Sequence, residues 1–293
     1  MDPADLKSRA IALYDRFTHE THDRRAFIAE LTKLAGGTAA AGALLATIAT
    51  DPAAAALIAA DDPRLKTRNV RWQVGTGRTM HGYMALPAKA RGRQPAVMVI
   101  HENRGLTDHI RDVARRVALA GYVAVAPDFL SVSGGTPVDQ DAARDLIGKL
   151  DLAQTVQDAA ATVRWLKLNR YASGKVGTVG FCWGGAMVNR VAIAAGDQLA
   201  AGVAYYGPAP DPSEAAKVKA AMLLHYAGLD ERVNKTALPW IDALKAAGVP
   251  VEAYFYPGAN HAFNNDTSVD RYDKATADLA WGRTLATFRQ RLA

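Results

Sequence analysis

The chain has 293 residues, 49% of them hydrophobic and 22% charged, with one cysteine. Such a composition buries a sizeable core and excludes a mostly disordered chain, a collagen or a coiled coil, while a lone cysteine excludes an intrachain disulfide framework and a multi-cysteine zinc site. The formal net charge of +6 comes from Lys and Arg scattered along the chain, a solvated basic surface without the clustered cations or motifs of a nucleic-acid binder.

The first 60 or so residues differ from the rest. Residues 1–33 are charged and predict helix, with Leu6, Ala10, Leu13 and Phe17 three or four apart. Leu34 to Thr50 is uncharged and rich in Ala and Gly, and Asp51-Pro52, the run Ala53 to Ala56 and Asp61-Asp62-Pro63 follow. Arg24-Arg25-Ala26-Phe27-Ile28 resembles a twin-arginine export motif, with an A-x-A cleavage pattern at Ala53-Ala54-Ala55. Asp23, Glu30 and the long segment before the arginines speak for the other reading, a retained helical extension. Export to the periplasm is the expectation; a retained extension would mean a cytoplasmic protein in which it packs on the body or on a second subunit of a homodimer. No stretch is apolar enough over about 20 residues to predict a membrane span.

A body is expected over residues 64–293. Thr67 to Val74 and Thr79 to Leu86 predict strands, and Ala96 to Ile100 a buried one leading into His101-Glu102-Asn103-Arg104-Gly105. Ile110 to Ala120 predicts a helix, Tyr122 to Ala126 a strand, Ser131 to Pro137 a loop, and 139–169 one or two helices. Strands follow at Lys175 to Gly180, Ala201 to Tyr206, Ala221 to Tyr226 and Val251 to Tyr256, with helices at 186–195, Lys235 to Ala247 and 268–291. Alternating strands and helices predict an α/β fold, a mainly parallel sheet covered by helices on both faces. Ligands of such sheets bind beyond the carboxyl ends of the strands. Glu102, Cys182, Asp230 and His261 each follow a predicted strand, so they should converge on one edge.

Gly180-Phe181-Cys182-Trp183-Gly184-Gly185 fits G-x-C-x-G, a nucleophile elbow with cysteine in place of serine. The flanking glycines leave room for a tight strand-to-helix turn, the helix N-terminus favours a thiolate, and the Trp183 N–H would face a substrate oxyanion. Asp230, in Ala227-Gly228-Leu229-Asp230, could orient a histidine, with Glu231 as substitute. His261 after Pro257-Gly258 would be the proton shuttle. Nucleophile, acid, histidine is the α/β-hydrolase order. His225 and His101 are the second choices for a base.

His-Glu-x-x-Gly-Leu at 101–106, the Gly-Phe-Cys-x-Gly-Gly elbow, Tyr205-Tyr206-Gly207, Gly-x-Asp and His261-Ala262-Phe263 occur in this order. Together they resemble the dienelactone hydrolases (carboxymethylenebutenolidases) of the α/β-hydrolase superfamily, over roughly residues 64–293. The resemblance implies a Cys182–Asp230–His261 triad and a Glu102 that helps generate the thiolate once substrate is bound. It also implies an oxyanion hole of the Trp183 and Asn103 N–H groups, and acyl transfer from a lactone or small ester without cofactor or metal. Members of the family hold a substrate carboxylate with two arginines, one shortly after Ala-Pro-Asp and one about four residues after the histidine. Neither stretch has an arginine here, and Arg104 is the candidate substitute. Phe129, Leu130, Trp183, Tyr206 and Phe263 are candidate pocket residues. The rival readings are a thioester, phosphotriester or amide hydrolase on the same triad, and a non-catalytic binding protein. A nucleotide-binding site is excluded, since no G-x-G-x-x-G follows the first body strand.

Overall fold

A computed structural model describes residues 2–19, 23–49 and 57–293. Asp51-Pro52 and the Ala53-Ala54-Ala55 pattern lie outside the described residues.

The chain opens with three helices, α1 (Pro3–His19), α2 (Arg24–Ala35) and α3 (Thr38–Ile48). The helix expected over 1–33 is therefore two. Asp23 starts the second by accepting from the Arg25 N–H, and Gly36, at φ 78°, ends it in the left-handed conformation that glycine tolerates. Leu13, Tyr14 and Phe17 of α1 meet Phe27 and Leu31 of α2 and Ile48 of α3 in a small core of their own. Phe17 stacks on Phe27 with ring centroids 4.4 Å apart.

The body holds β1 (Leu65–Gly75), β2 (Arg78–Pro87), β3 (Gln94–Ile100), α4 (Asp108–Leu119), β4 (Val123–Asp128), α5 (Gln140–Gly148), α6 (Leu152–Lys167) and β5 (Ala172–Phe181). It continues with α7 (Trp183–Ala195), β6 (Ala201–Tyr205), β7 (Ala221–Ala227), α8 (Glu231–Ala246), β8 (Val251–Tyr256) and α9 (Lys274–Arg291). The strands form one eight-stranded sheet in the order β1-β2-β4-β3-β5-β6-β7-β8. The pairs β1–β2 and β2–β4 are antiparallel, and every pair from β4 to β8 is parallel.

Both faces of the sheet are covered, which is why its central strands read as near-continuous apolar runs. In β3, Ala96, Met98 and Ile100 face one core while Val97 and Val99 face the other, the alternation a strand imposes. Residues of α6, α7 and α8 fill the first core, and those of α4 and α9 the second. Buried polar tips are tied across elements: the Trp72 indole N–H donates to Thr162 Oγ1 at 3.0 Å, and that of Trp240 to Asn189 Oδ1 at 3.1 Å.

Two helix starts differ from expectation. α8 begins at Glu231 instead of Lys235, because Asp230 caps it by accepting from the Val233 N–H. α9 begins at Lys274 instead of 268, where Asp273 accepts from the Thr276 N–H; the preceding stretch is turned by bonds such as Thr267 N–H to Asn265 Oδ1 and Arg271 N–H to Ser268 O.

The N-terminal helices pack on the body. Lys7 pairs with Asp270 at 2.7 Å, and Arg24 of the double arginine pairs with Asp141. The Ser268 hydroxyl donates to the Ile48 carbonyl at 3.0 Å, and the Asn103 side-chain amide to the Thr18 carbonyl at 2.8 Å. Among the described residues no single helix is long and apolar enough to cross a membrane.

Candidate active site

Cys182 stands between β5 and α7 with φ 56° and ψ −115°, a conformation costly for any side chain and characteristic of a strained functional turn. Its N–H donates to the Tyr205 carbonyl, and its own carbonyl accepts from Ala186, so the strain is held from both sides. The glycines around it are there for contact. A Cβ on Gly180 would stand 2.2 Å from the Gly184 carbonyl oxygen, and one on Gly185 2.4 Å from that of Tyr205. No larger residue fits, and the elbow sits tight against the ends of β3 and β6.

Asp230 follows β7 and His261 follows β8, so parallel order carries both to the edge where Cys182 lies. Asp230 Oδ2 is 2.5 Å from His261 Nδ1, with both side chains buried. His261 and Cys182 line the same small cavity. Burial works against charge on His261, but Asp230 and Cys182 outweigh it and hold its pKa up at about 10. Burial likewise opposes the Asp230 carboxylate, yet His261, Arg232 and the Val233 N–H bring its pKa below the usual value. One carboxylate thus orients the imidazole and favours its protonated form.

Glu102 leaves β3 and lines a small cavity of about 20 Å³ together with Cys182, His261 and Asn103. Its Oε2 accepts from the Asn265 side-chain amide at 2.7 Å, while its Oε1 is buried with no hydrogen-bond partner among the described residues. Trp183 is the first residue of α7, so its N–H has no partner within the helix. His101 stacks on the Trp183 ring at 5.2 Å. It is held by the Glu102 carbonyl (2.7 Å, Nδ1) and the Phe129 N–H (3.2 Å, Nε2), and burial depresses its pKa. His225 is fully buried against Tyr256 and Thr284 with a pKa of about 3, again from burial. Both are neutral packing residues, and neither lines the cavities that reach Cys182.

The candidate pocket residues need correction. Phe129 is packed edge-on to His101 and Trp183 in the core, Leu130 is fully buried with Ala143 and Ile147, and Phe263 is enclosed by Tyr205, Tyr206 and Tyr256. None of them, nor Tyr206, lines the two cavities at Cys182. Tyr206 supports the site from behind: its ring lies 5.0 Å from that of His261, at φ 37°. Its pKa stands well above 10 because the phenol is buried and sits near Glu102 and Cys182. Arg104 does line the small cavity, but it is buried and already engaged. It donates to the Gln140 carbonyl at 2.8 Å, to Asp141 at 3.0 Å and to the Tyr14 hydroxyl at 3.3 Å.

Other residues reach the site with no signal of it in the sequence. Arg271 lies ten positions after His261, beyond the expected spacing, yet the turned segment before α9 returns it to the small cavity. There it faces Asp15 of α1 at 3.6 Å and Ser268 at 2.9 Å. Tyr14 and Thr18 of α1 complete the same cavity. A second, larger groove of about 620 Å³ also reaches Cys182, lined by Phe17, Thr18, Trp183, Pro208 and Arg232 among others. A loop arginine has no periodic pattern to betray it, and helical spacing in α1 shows only that one face is buried, not what buries it. Among the described residues no group of three His, Cys, Asp or Glu side chains could hold a metal ion.

The dienelactone hydrolase family model matches residues 80–292, spanning every one of these catalytic candidates. The chain belongs to the dienelactone hydrolase family. It is accordingly a hydrolase of the lactone- and ester-cleaving class, on an α/β-hydrolase fold. A carboxymethylenebutenolidase-type protein of Escherichia coli O157:H7 is 34% identical over 73% of this chain and 83% of its own length. One from Methylorubrum extorquens is 32% identical over 98% of this chain and 97% of its own length, so its similarity reaches into the N-terminal helices. The crystal structure of a dienelactone hydrolase-type protein from Klebsiella pneumoniae superposes with a TM-score of 0.68 at 30% identity, over 77% of this chain and 99% of that one.

Proposed function

We propose that this dienelactone hydrolase-family protein cleaves a lactone or small carboxylic ester by acyl transfer through Cys182, His261 and Asp230. The observation that carries this reading is a strained elbow cysteine lining one small cavity with His261, which itself lies 2.5 Å from Asp230. As substrate docks, the Cys182 proton passes to Glu102 Oε1, a buried acceptor with no hydrogen-bond partner among the described residues. The thiolate attacks the carbonyl carbon, and the oxyanion lies between the N–H groups of Trp183 and Asn103. The C–O bond breaks as the leaving oxygen takes a proton from the His261 imidazolium. Neutral His261 then removes a proton from water, the hydroxide attacks the acyl-enzyme, and the thiolate departs. The acid is released, and Glu102 returns its proton to Cys182.

The test is hydrolysis of methyl acetate and a small lactone panel by wild type and Cys182→Ala. Activity should fall by at least about 10²-fold, since a nucleophile in such a triad acts as part of a unit. Undiminished turnover by a folded Cys182→Ala protein would remove the elbow as the reaction centre. A wild type that turns over nothing in the panel but is acylated at Cys182 by a thiol-reactive probe would keep the mechanism and move the substrate. Neither turnover nor acylation would favour a binding protein.

A further inference from the structure

Two spaces meet at Cys182, and they differ in size, lining and access to the proton shuttle. The space shared with His261 is the small one, about 20 Å³, closed by Tyr14 and Thr18 of α1. The groove of about 620 Å³ shares Thr18, Asn103 and Cys182 with it, and is lined by Trp183 but not by His261. A leaving oxygen has to be protonated by the triad histidine, so it must face that residue. The leaving group therefore belongs in the small space and the acyl group in the large one. The groove has an apolar wall of Phe17 of α1 with Ile147, Leu150, Leu152, Trp183 and Pro208 of the body, and its lining also includes the charged Arg144, Asp145, Lys149 and Arg232; its volume is in the range of a ligand pocket of about 300–1,000 Å³.

We infer that α1 is a substrate-selecting wall of the enzyme, favouring an extended apolar acyl group esterified to a small alcohol, with Phe17 the specificity-determining residue. This rests on the cysteine-hydrolase reading and adds the substrate class. The Phe17 ring is held in place from two sides, stacked on Phe27 and with the Arg144 guanidinium 4.3 Å from its centroid. The wall is held to the body at the catalytic loop itself, where the Asn103 amide donates to the Thr18 carbonyl and Arg104 to the Tyr14 hydroxyl. The family model begins at residue 80, so this selectivity would be a property of the extension. It requires that α1 stay with the functional protein.

The test uses the full chain and two isomeric esters, methyl nonanoate and octyl acetate, with methyl acetate as reference, followed by pH-stat. In wild type, kcat/KM for methyl nonanoate should exceed that for octyl acetate by about tenfold or more, the scale at which a pocket senses a few methylenes. Phe17→Ala should raise KM for methyl nonanoate about tenfold and reduce its preference over octyl acetate by the same factor. Because Phe17 also packs inside the extension, Leu152→Glu is the second variant. Leu152 is half exposed on the body's part of the groove lining, at the first turn of α6, where an acidic residue suits the helix. It should lose the same selectivity without loss of folding. Equal turnover of the two isomers by wild type, or selectivity untouched by Leu152→Glu, would overturn the inference. Both results leave Cys182-dependent hydrolysis of methyl acetate standing, so they are distinct from failure of the cysteine mechanism.

Discussion

Gly184→Ala isolates the elbow from the chemistry it presents. A Cβ at this position would stand 2.4 Å from the Ile100 carbonyl oxygen and 2.5 Å from that of His101, against the 3.4 Å of an ordinary contact. Both neighbours are backbone at the end of a central strand, so the first turn of α7 must retreat by about 1 Å in an interior packed as densely as a crystal. Overpacking of this kind costs about 1–3 kcal/mol of stability. The catalytic cost is larger, because Cys182 and the Trp183 N–H ride on the segment that moves. A misplacement of about 1 Å lowers a rate by about 10²-fold, comparable with losing an oxyanion donor at about 10²–10³-fold. We expect kcat for methyl acetate to fall about 100-fold with KM little changed, and the melting temperature to drop by a few degrees or more. Gly282→Ala is the control. It lies in α9 with nothing among the described residues within 4 Å of where the added methyl would sit, so activity should be unchanged and stability should rise by up to about 1 kcal/mol. A folded Gly184→Ala enzyme with kcat within about threefold of wild type would refute the view that this contact positions the oxyanion donor.

Asp230→Asn should keep the helix cap, since Asn accepts from the Val233 N–H as well, but remove the charge that holds His261. A loss in kcat of about 10³–10⁴-fold is expected from the equivalent change in other triads, and steady-state rates within tenfold of wild type would count against the assigned role. The His261 pKa also makes stability depend on pH. It is raised from 6.5 to about 10 in the folded protein, so its stabilisation is fully present below pH 6.5 and is lost as pH rises towards about 10. Asp230, whose pKa is lowered, acts in the opposite sense: its contribution is present above the ordinary value of 3.8 and is lost as pH falls through the depressed one. The urea midpoint of wild type relative to His261→Gln should therefore fall between pH 6.5 and 10, and a flat or rising difference would contradict a charged His261.

Much of this protein is legible in its sequence. Central parallel strands are buried on both faces, so β3, β4 and β7 appear as short apolar runs whatever their partners. Glycines that must admit backbone at 2.2–2.5 Å can be nothing else, so the elbow announces itself as Gly180-x-Cys182-x-Gly184. Local rules fail where a residue's role depends on what the fold brings to it. Phe129 and Phe263 share the composition of pocket residues, yet the packing order around His101 and Tyr205 buries them. Arg271 has the chemistry of a site residue but no local pattern, and only the turn before α9 returns it to Cys182. Tyr14 and Phe17 lie far from the nucleophile in the chain, and their helical spacing records a buried face without naming the surface that covers it. The sequence alone determined the sheet, the elbow and the order of the candidate triad, because each is written in short-range sterics and burial. The tertiary structure decided the walls of the site, because they come from segments distant in the chain whose meeting depends on how whole helices pack.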